Sequence, residues 1–117
     1  MKLQNYRDLH VWQRSIELVA TIYQMTTAFP DDERFGLTNQ IRRSAVSIPS
    51  NIAEGFGRLS TGDYARFLTI ARGSLLELET QLIIAQRLDY LQTDFDQLWK
   101  EMQIIGRMLY KLLISVQ

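Results

Sequence analysis

Cysteine is absent from the 117 residues, which excludes disulfides, thiolate nucleophiles and thiolate metal sites. Proline occurs 2 times and glycine 6 times, too seldom for the tight turns of an all-β chain. No stretch reaches the roughly 18 uncharged apolar residues of a membrane-crossing helix. The opening MKLQNYRDLHVW lacks the apolar run of a secretory signal, because Gln4, Asn5, Arg7 and Asp8 interrupt it. A cytoplasmic location without membrane contact is therefore expected. Neither charge sign is in excess, with 13 basic and 13 acidic residues. Bulk attraction to nucleic acid or anionic lipid is not expected, although a local patch remains open. With 46% hydrophobic and 22% charged residues the chain is not disordered, and its length fits one domain over residues 1–117.

Apolar periodicity supplies four helices, at about 8–28, 38–56, 61–88 and 93–116. In the first, Asp8 is the expected N-cap, and Leu9, Trp12, Ile16, Val19 and Tyr23 mark the inward face. Phe29-Pro30 ends it. Leu37, Ile41, Ala45, Ile48 and Ile52 form the second stripe, with Thr38 as its cap. Pro49 lies inside that stripe and predicts a kink near Ala45–Pro49 or a restart at Ser50, while Gly55 and Gly57 supply the stop. In the third helix, capped by Ser60 or Thr61, Tyr64, Leu68, Ala71, Leu75, Leu78, Leu82 and Ala85 alternate four- and three-residue steps. The fourth has Thr93 and Asp96 as a capping pair and a stripe of Phe95, Leu98, Met102, Ile105, Leu109, Leu112 and Val116. Sustained three- and four-residue spacing with short connections predicts an all-α, antiparallel up-down-up-down four-helix bundle.

More apolar residues are present than one such core needs. The first helix also carries Val11, Leu18, Ile22 and Met25, the third Phe67, Ile70, Leu76, Ile83 and Ile84, and the fourth Trp99, Ile104, Met108 and Leu113. A lone bundle helix needs one apolar stripe about 100° wide. The surplus points to homo-oligomerisation, with Leu18, Ile22, Phe67 and Ile83 as interface candidates.

Catalytic chemistry finds no footing. A di-iron bundle site needs paired Glu-x-x-His motifs. Glu17, Glu54, Glu77 and Glu101 put a carboxylate on every helix, but the sole histidine is His10, preceded three residues earlier by Arg7. A carboxylate-only Mg²⁺ or Ca²⁺ site is the one metal option these residues leave. No Gly-x-Ser-x-Gly elbow is present, and Gly55-Phe56-Gly57 lacks the Gly-Lys-Ser/Thr of a phosphate loop. The reading is a non-enzyme with no catalytic residue, metal or cofactor.

Two polar groups stand out. Arg43, Ser47, Asn51 and Glu54 align on one face of the second helix, flanked by Ser44, Ser50 and Arg58. They form either a solvated face or a polar network against Glu77 or Arg72 of the third helix. Arg42, Arg43, Arg58 and Arg66 are candidate nucleic-acid contacts, since the guanidinium fork suits phosphate. The alternative is pairing with Asp31, Asp32, Glu33, Glu54 and Asp63.

The segments DLHVWQRSIEL, FPDDERFGLTNQIRRSAVSIPSNIAEGFGR and FLTIARGSLLELETQL resemble the four-helix-bundle proteins encoded within intervening sequences of bacterial 23S rRNA genes. The resemblance implies a small cytoplasmic bacterial bundle assembled as a homopentamer. It extends to the accessory proteins of diversity-generating retroelements, basic pentameric barrels that bind a reverse transcriptase and nucleic acid. The neutral charge of this chain departs from them. The implied partners are further copies of the chain, with RNA or a nucleic-acid-processing protein beside them. Arg42, Arg43, Asn51, Glu54, Gly73, Ser74 and Glu77 match the family signature. By that likeness Gly73 permits a close helix approach, and Asn51 with Glu54 locks packing around Pro49.

Overall fold

A computed structural model describes residues 5–91 and 94–117. Its helices are α1 (His10–Thr26), α2 (Leu37–Phe56), α3 (Thr61–Arg87) and α4 (Phe95–Val116), with short 3-10 turns at Tyr6–Asp8 and Asp31–Glu33. Each helix packs on its two neighbours around the ring and none packs on its diagonal, so the four close into an all-α four-helix bundle. The α2–α3 pair is the most intimate and α1–α4 the least. The bundle measures 44 × 25 × 19 Å. No helix of the described residues is long and apolar enough to cross a membrane.

The core follows the sequence stripes in three helices. Ile41, Ala45, Ile48 and Ile52 of α2, Leu68, Ala71, Leu75, Leu78, Leu82 and Ala85 of α3, and Leu98, Met102, Ile105 and Leu109 of α4 are buried. Helix α1 is turned the other way. Its buried face is Val11, Ser15, Leu18, Ile22 and Thr26, whereas Ile16 and Tyr23 of the predicted face are exposed. Two hydroxyls disguised the true stripe. Ser15 Oγ donates to the Val11 carbonyl at 2.6 Å and Thr26 Oγ1 to the Ile22 carbonyl at 2.7 Å, so both polar groups are satisfied locally and enter the core at little cost.

The helix ends also differ from expectation. Asp8 closes a 3-10 turn, and Leu9 occupies the N-cap of α1. At α2 the N-cap is Gly36, and Thr38 lies in the first turn, buried with Oγ1 unpartnered. The side chain that serves this end is Glu33, which accepts the Leu37 N–H at 3.0 Å on Oε1 and the Tyr90 hydroxyl at 2.9 Å on Oε2. One carboxylate thus caps α2 and ties two loops together. Helix α2 runs through Pro49 without the predicted break. The ring is buried together with Ile48 and Ile52, and that packing outweighs the lost backbone bond. Ser60 caps α3 as expected, accepting the Asp63 N–H at 3.1 Å. Helix α3 ends with Asp89 at φ 61°, while Tyr90 and Asp89 donate backbone N–H bonds to the Ala85 and Gln86 carbonyls. This is the Schellman arrangement, with aspartate where glycine is usual. The Asp94 carboxylate accepts the Asp96 N–H at 2.9 Å at the start of α4; the predicted cap Thr93 lies outside the described residues.

The close approach predicted for Gly73 belongs instead to Gly55. A Cβ on Gly73 would meet nothing within 4 Å, whereas one on Gly55 would lie 2.9 Å from Phe67 Cβ and 3.2 Å from the Tyr64 carbonyl oxygen. Gly55 is not the helix stop; it lies inside α2, where it lets α3 close in.

Candidate functional site: a polar seam and two charged grooves

The polar residues of α2 meet α3 at a small hydroxyl cluster. Ser47 Oγ lies 2.8 Å from Ser74 Oγ, and Asn51 Nδ2 donates to Ser47 O at 2.8 Å and to Ser47 Oγ at 2.9 Å. The predicted network is present for Ser47 and Asn51, with Ser74 as its α3 partner. Glu54 is not part of it, because its carboxylate accepts from Arg58 at 2.7 Å. Glu77 lines a shallow groove above the cluster with Arg43, Ser44 and Gln81. Hydrogen bonds of this kind, half-buried between two helices, help fix their register.

The four candidate arginines do not form one patch. Arg42 turns toward α1, donating to Thr26 Oγ1 at 2.8 Å and to the Tyr23 carbonyl at 3.2 Å while lying 4.6 Å from the Tyr23 ring centroid. Its donors close the C-terminal end of α1, a structural task. Arg43 opens onto the α2/α3 groove. Arg58 follows Arg42 by sixteen residues, about 24 Å along a helix. Arg58 and Arg66 both sit 4.6 Å from the centroid of Phe67, and their carboxylate partners are Glu54 at 2.7 Å and Asp63 at 3.9 Å. The pairing predicted from nearby acidic residues therefore holds for this corner.

The interface candidates divide likewise. Leu18 is 2% exposed and Ile22 0%; both belong to the core of this chain and are corrected from interface to interior. Phe67 is half-buried beneath the two arginines, while Ile83 is 39% exposed. Ile70, Leu76 and Ile84 on α3 are exposed with it.

Two grooves flank α4. Between α1 and α4, a groove of about 570 Å³ has Leu18, Met25 and Leu98 in its lining and three carboxylates, Glu17, Asp94 and Glu101. Arg14 bridges to Glu101 through contacts of 2.9 and 3.1 Å. Between α3 and α4, a groove of about 420 Å³ is lined by Leu75, Leu76 and Gly106 with three cations, Arg72, Arg107 and Lys111. Among the described residues none of these three makes an ion pair. Arg72 lies 5.6 Å from the centroid of Tyr110, a ring on the same wall. Carboxylates thus predominate in one groove beside α4 and cations in the other. The apolar stripes and motifs of the sequence do not single out Arg107, Lys111 or Tyr110. The signal was the spacing Gln103-Arg107-Lys111 with Gly106-Tyr110, which lines up one side of a helix.

Glu79 lies in the basic groove and accepts from Gln103 Nε2 at 3.2 Å. Burial pushes its carboxyl above the ordinary 4.5, and the Gln103 bond pulls back weakly. A carboxyl raised by folding contributes its stability below its unfolded pKa and loses it as pH rises through the folded value. Glu79→Gln is therefore expected to be more resistant to urea than the parent at pH 7, with the advantage vanishing below pH 4; an equal advantage at both pH values contradicts the burial penalty. Tyr90 is also raised, chiefly by its hydrogen bond to Glu33. His10 is exposed in the first turn of α1, and among the described residues no three His, Asp or Glu side chains converge in a metal-binding cluster.

Comparison with known proteins gives two matches in accord with this fold. The family described as 23S rRNA-intervening sequence protein matches over residues 7–111. A crystal structure of a protein with unknown function from the S23 ribosomal protein family of Bacteroides thetaiotaomicron superposes with a TM-score of 0.80. It is 25% identical, and the match covers 88% of this chain and 94% of that one. No curated protein matches the sequence.

Proposed function

Given that the chain belongs to the 23S rRNA-intervening sequence protein family, we propose that it is a non-enzymatic scaffold that assembles with copies of itself. The observation that carries this reading is the outer side of α3. Ile70, Leu76, Ile83 and Ile84 are 41%, 53%, 39% and 45% exposed, and the open Gly73 lies among them. Covering a fully exposed isoleucine or leucine is worth about 1.5 to 3 kcal/mol. Half-exposed side chains in this number contribute part of the free energy of a contact between subunits. Five copies is the number that the likeness to the family implies, and the cytoplasm is the location that goes with it.

RNA contact through Arg42, Arg43, Arg58 and Arg66 is the weaker reading, because Arg42 is spent on α1 and Arg58 and Arg66 on their carboxylates. Light scattering tests the stronger one. The parent is expected at a multiple of 13.7 kDa at micromolar concentration. Ile83→Lys with Ile84→Lys is expected at the mass of one chain, with its helical circular dichroism retained because both positions are exposed. A parent protein that scatters as one chain overturns the proposal.

A further inference from the structure

We propose that the α3/α4 groove binds a nucleotide unit, its phosphate held by Arg107, Lys111 and Arg72 and its base set against Tyr110. The inference goes beyond self-assembly and does not rest on it. Four features of the groove converge. Its volume, about 420 Å³, lies in the range of small-ligand sites, about 300 to 1,000 Å³. Its three cations have no carboxylate partners among the described residues, so a phosphate entering there displaces no ion pair and gains charge-assisted hydrogen bonds. Tyr110 is 52% exposed and offers an aromatic surface of the kind on which bases stack. Arg72 beside it at 5.6 Å extends that surface with a planar guanidinium.

The fourth feature is the Glu79–Gln103 pair at 3.2 Å. That bond uses one Gln103 N–H and Glu79 Oε2. It leaves Gln103 Oε1 and Glu79 Oε1 as acceptors for the amino group of a base, and a second Gln103 N–H as a donor for a ring nitrogen. Gly106 keeps the floor of the groove low, since a Cβ there would lie 3.3 Å from Leu75 Cδ2. Phosphate alone would be served by the cations. The aromatic ring adds a surface on which a base can stack, and the carboxamide adds hydrogen bonds to its edge.

The unit can come as a free nucleotide or as part of a single strand, and the experiment separates the two. Equilibrium dialysis of the full chain is run against AMP, inorganic phosphate and an oligo(A) ten-mer at low salt. Saturable AMP binding at one per chain, tighter than phosphate, is expected. Tyr110→Ala is expected to weaken AMP by roughly fivefold or more, the loss of one stacked base, while leaving phosphate unchanged. Arg107→Glu with Lys111→Glu is expected to weaken every ligand by at least about tenfold, as removal of charge-assisted bonds does. Arg42→Ala, on the α1 side, is expected to change nothing. Oligo(A) binding without AMP binding, lost in the same variants, assigns the site to a strand and upholds it. The proposal falls if neither AMP nor oligo(A) saturates, if AMP saturates but phosphate binds equally well, or if binding survives Arg107→Glu with Lys111→Glu. All the substituted groove residues are exposed, and circular dichroism of the variants is the check that they remain helical.

Discussion

Ile22→Ala is expected to lower the unfolding free energy by about 3 to 4 kcal/mol, the middle of the range for truncating a buried aliphatic side chain. At this chain length that is about 10 °C or more in Tm. The magnitude follows from position. Ile22 is 0% exposed and shares the core with Ile41, Ile48, Leu78 and Ile105. A close-packed interior relaxes only partly around such a void. The substitution is also diagnostic. As an interface residue, Ile22 would change the mass of the assembly and leave the stability of a single chain intact. As a core residue it does the reverse, and urea denaturation together with light scattering distinguishes them. A loss below 1 kcal/mol accompanied by dissociation would return Ile22 to the surface.

The second large effect is a contrast between two glycines. In helices, Gly→Ala ordinarily stabilises by about 0.5 to 1 kcal/mol. Gly73→Ala is expected to show that gain, since its Cβ would point into open space. Gly55→Ala is expected to lose about 1 to 2 kcal/mol net, because forced overpacking costs about 1 to 3 kcal/mol against the same propensity gain. The clash cannot be relieved by a flexible side-chain tip. It falls on Phe67 Cβ at 2.9 Å and on the Tyr64 carbonyl at 3.2 Å, so α2 and α3 must separate, and this is the most closely packed helix pair. Urea midpoints of the two variants moving in the same direction would contradict the geometry. A Gly73→Ala chain that is more stable yet fails to assemble would locate the self-contact on the outer side of α3.

The bundle was legible where a stripe was wholly apolar. Leu68 to Ala85 in α3 and Leu98 to Leu109 in α4 needed nothing but period. Helix α1 was misread because it has two apolar faces, and the buried one contains Ser15 and Thr26. Only the folded chain shows their hydroxyls returning to Val11 and Ile22. Pro49 likewise weakens α2 by local rules, and burial of its ring overrides them. Capping at α2 was illegible for another reason. Glu33 reaches Leu37 across Gly36 and Tyr90 from a distant loop, and a partner 57 residues away leaves no local trace. The polar seam was half visible: Ser47 and Asn51 lie one helical turn apart, but Ser74 was identified only as a signature match. The grooves beside α4 depend on which helices become neighbours, and that is set by packing.

The unequal flanks of α4 bear on how the protein behaves in solution. A molecule without net charge feels no long-range repulsion from its copies, and this one carries Glu17 and Asp94, beside the Arg14-paired Glu101, on one flank and Arg72, Arg107 and Lys111, with Glu79 among them, on the other. In dilute buffer near neutrality two copies therefore turn opposite poles together and attract across about 30 Å at 0.01 M salt, a reach that shrinks to about 8 Å at physiological strength. Solubility that rises as sodium chloride is added is therefore the expected behaviour, and turbidity indifferent to salt would contradict it.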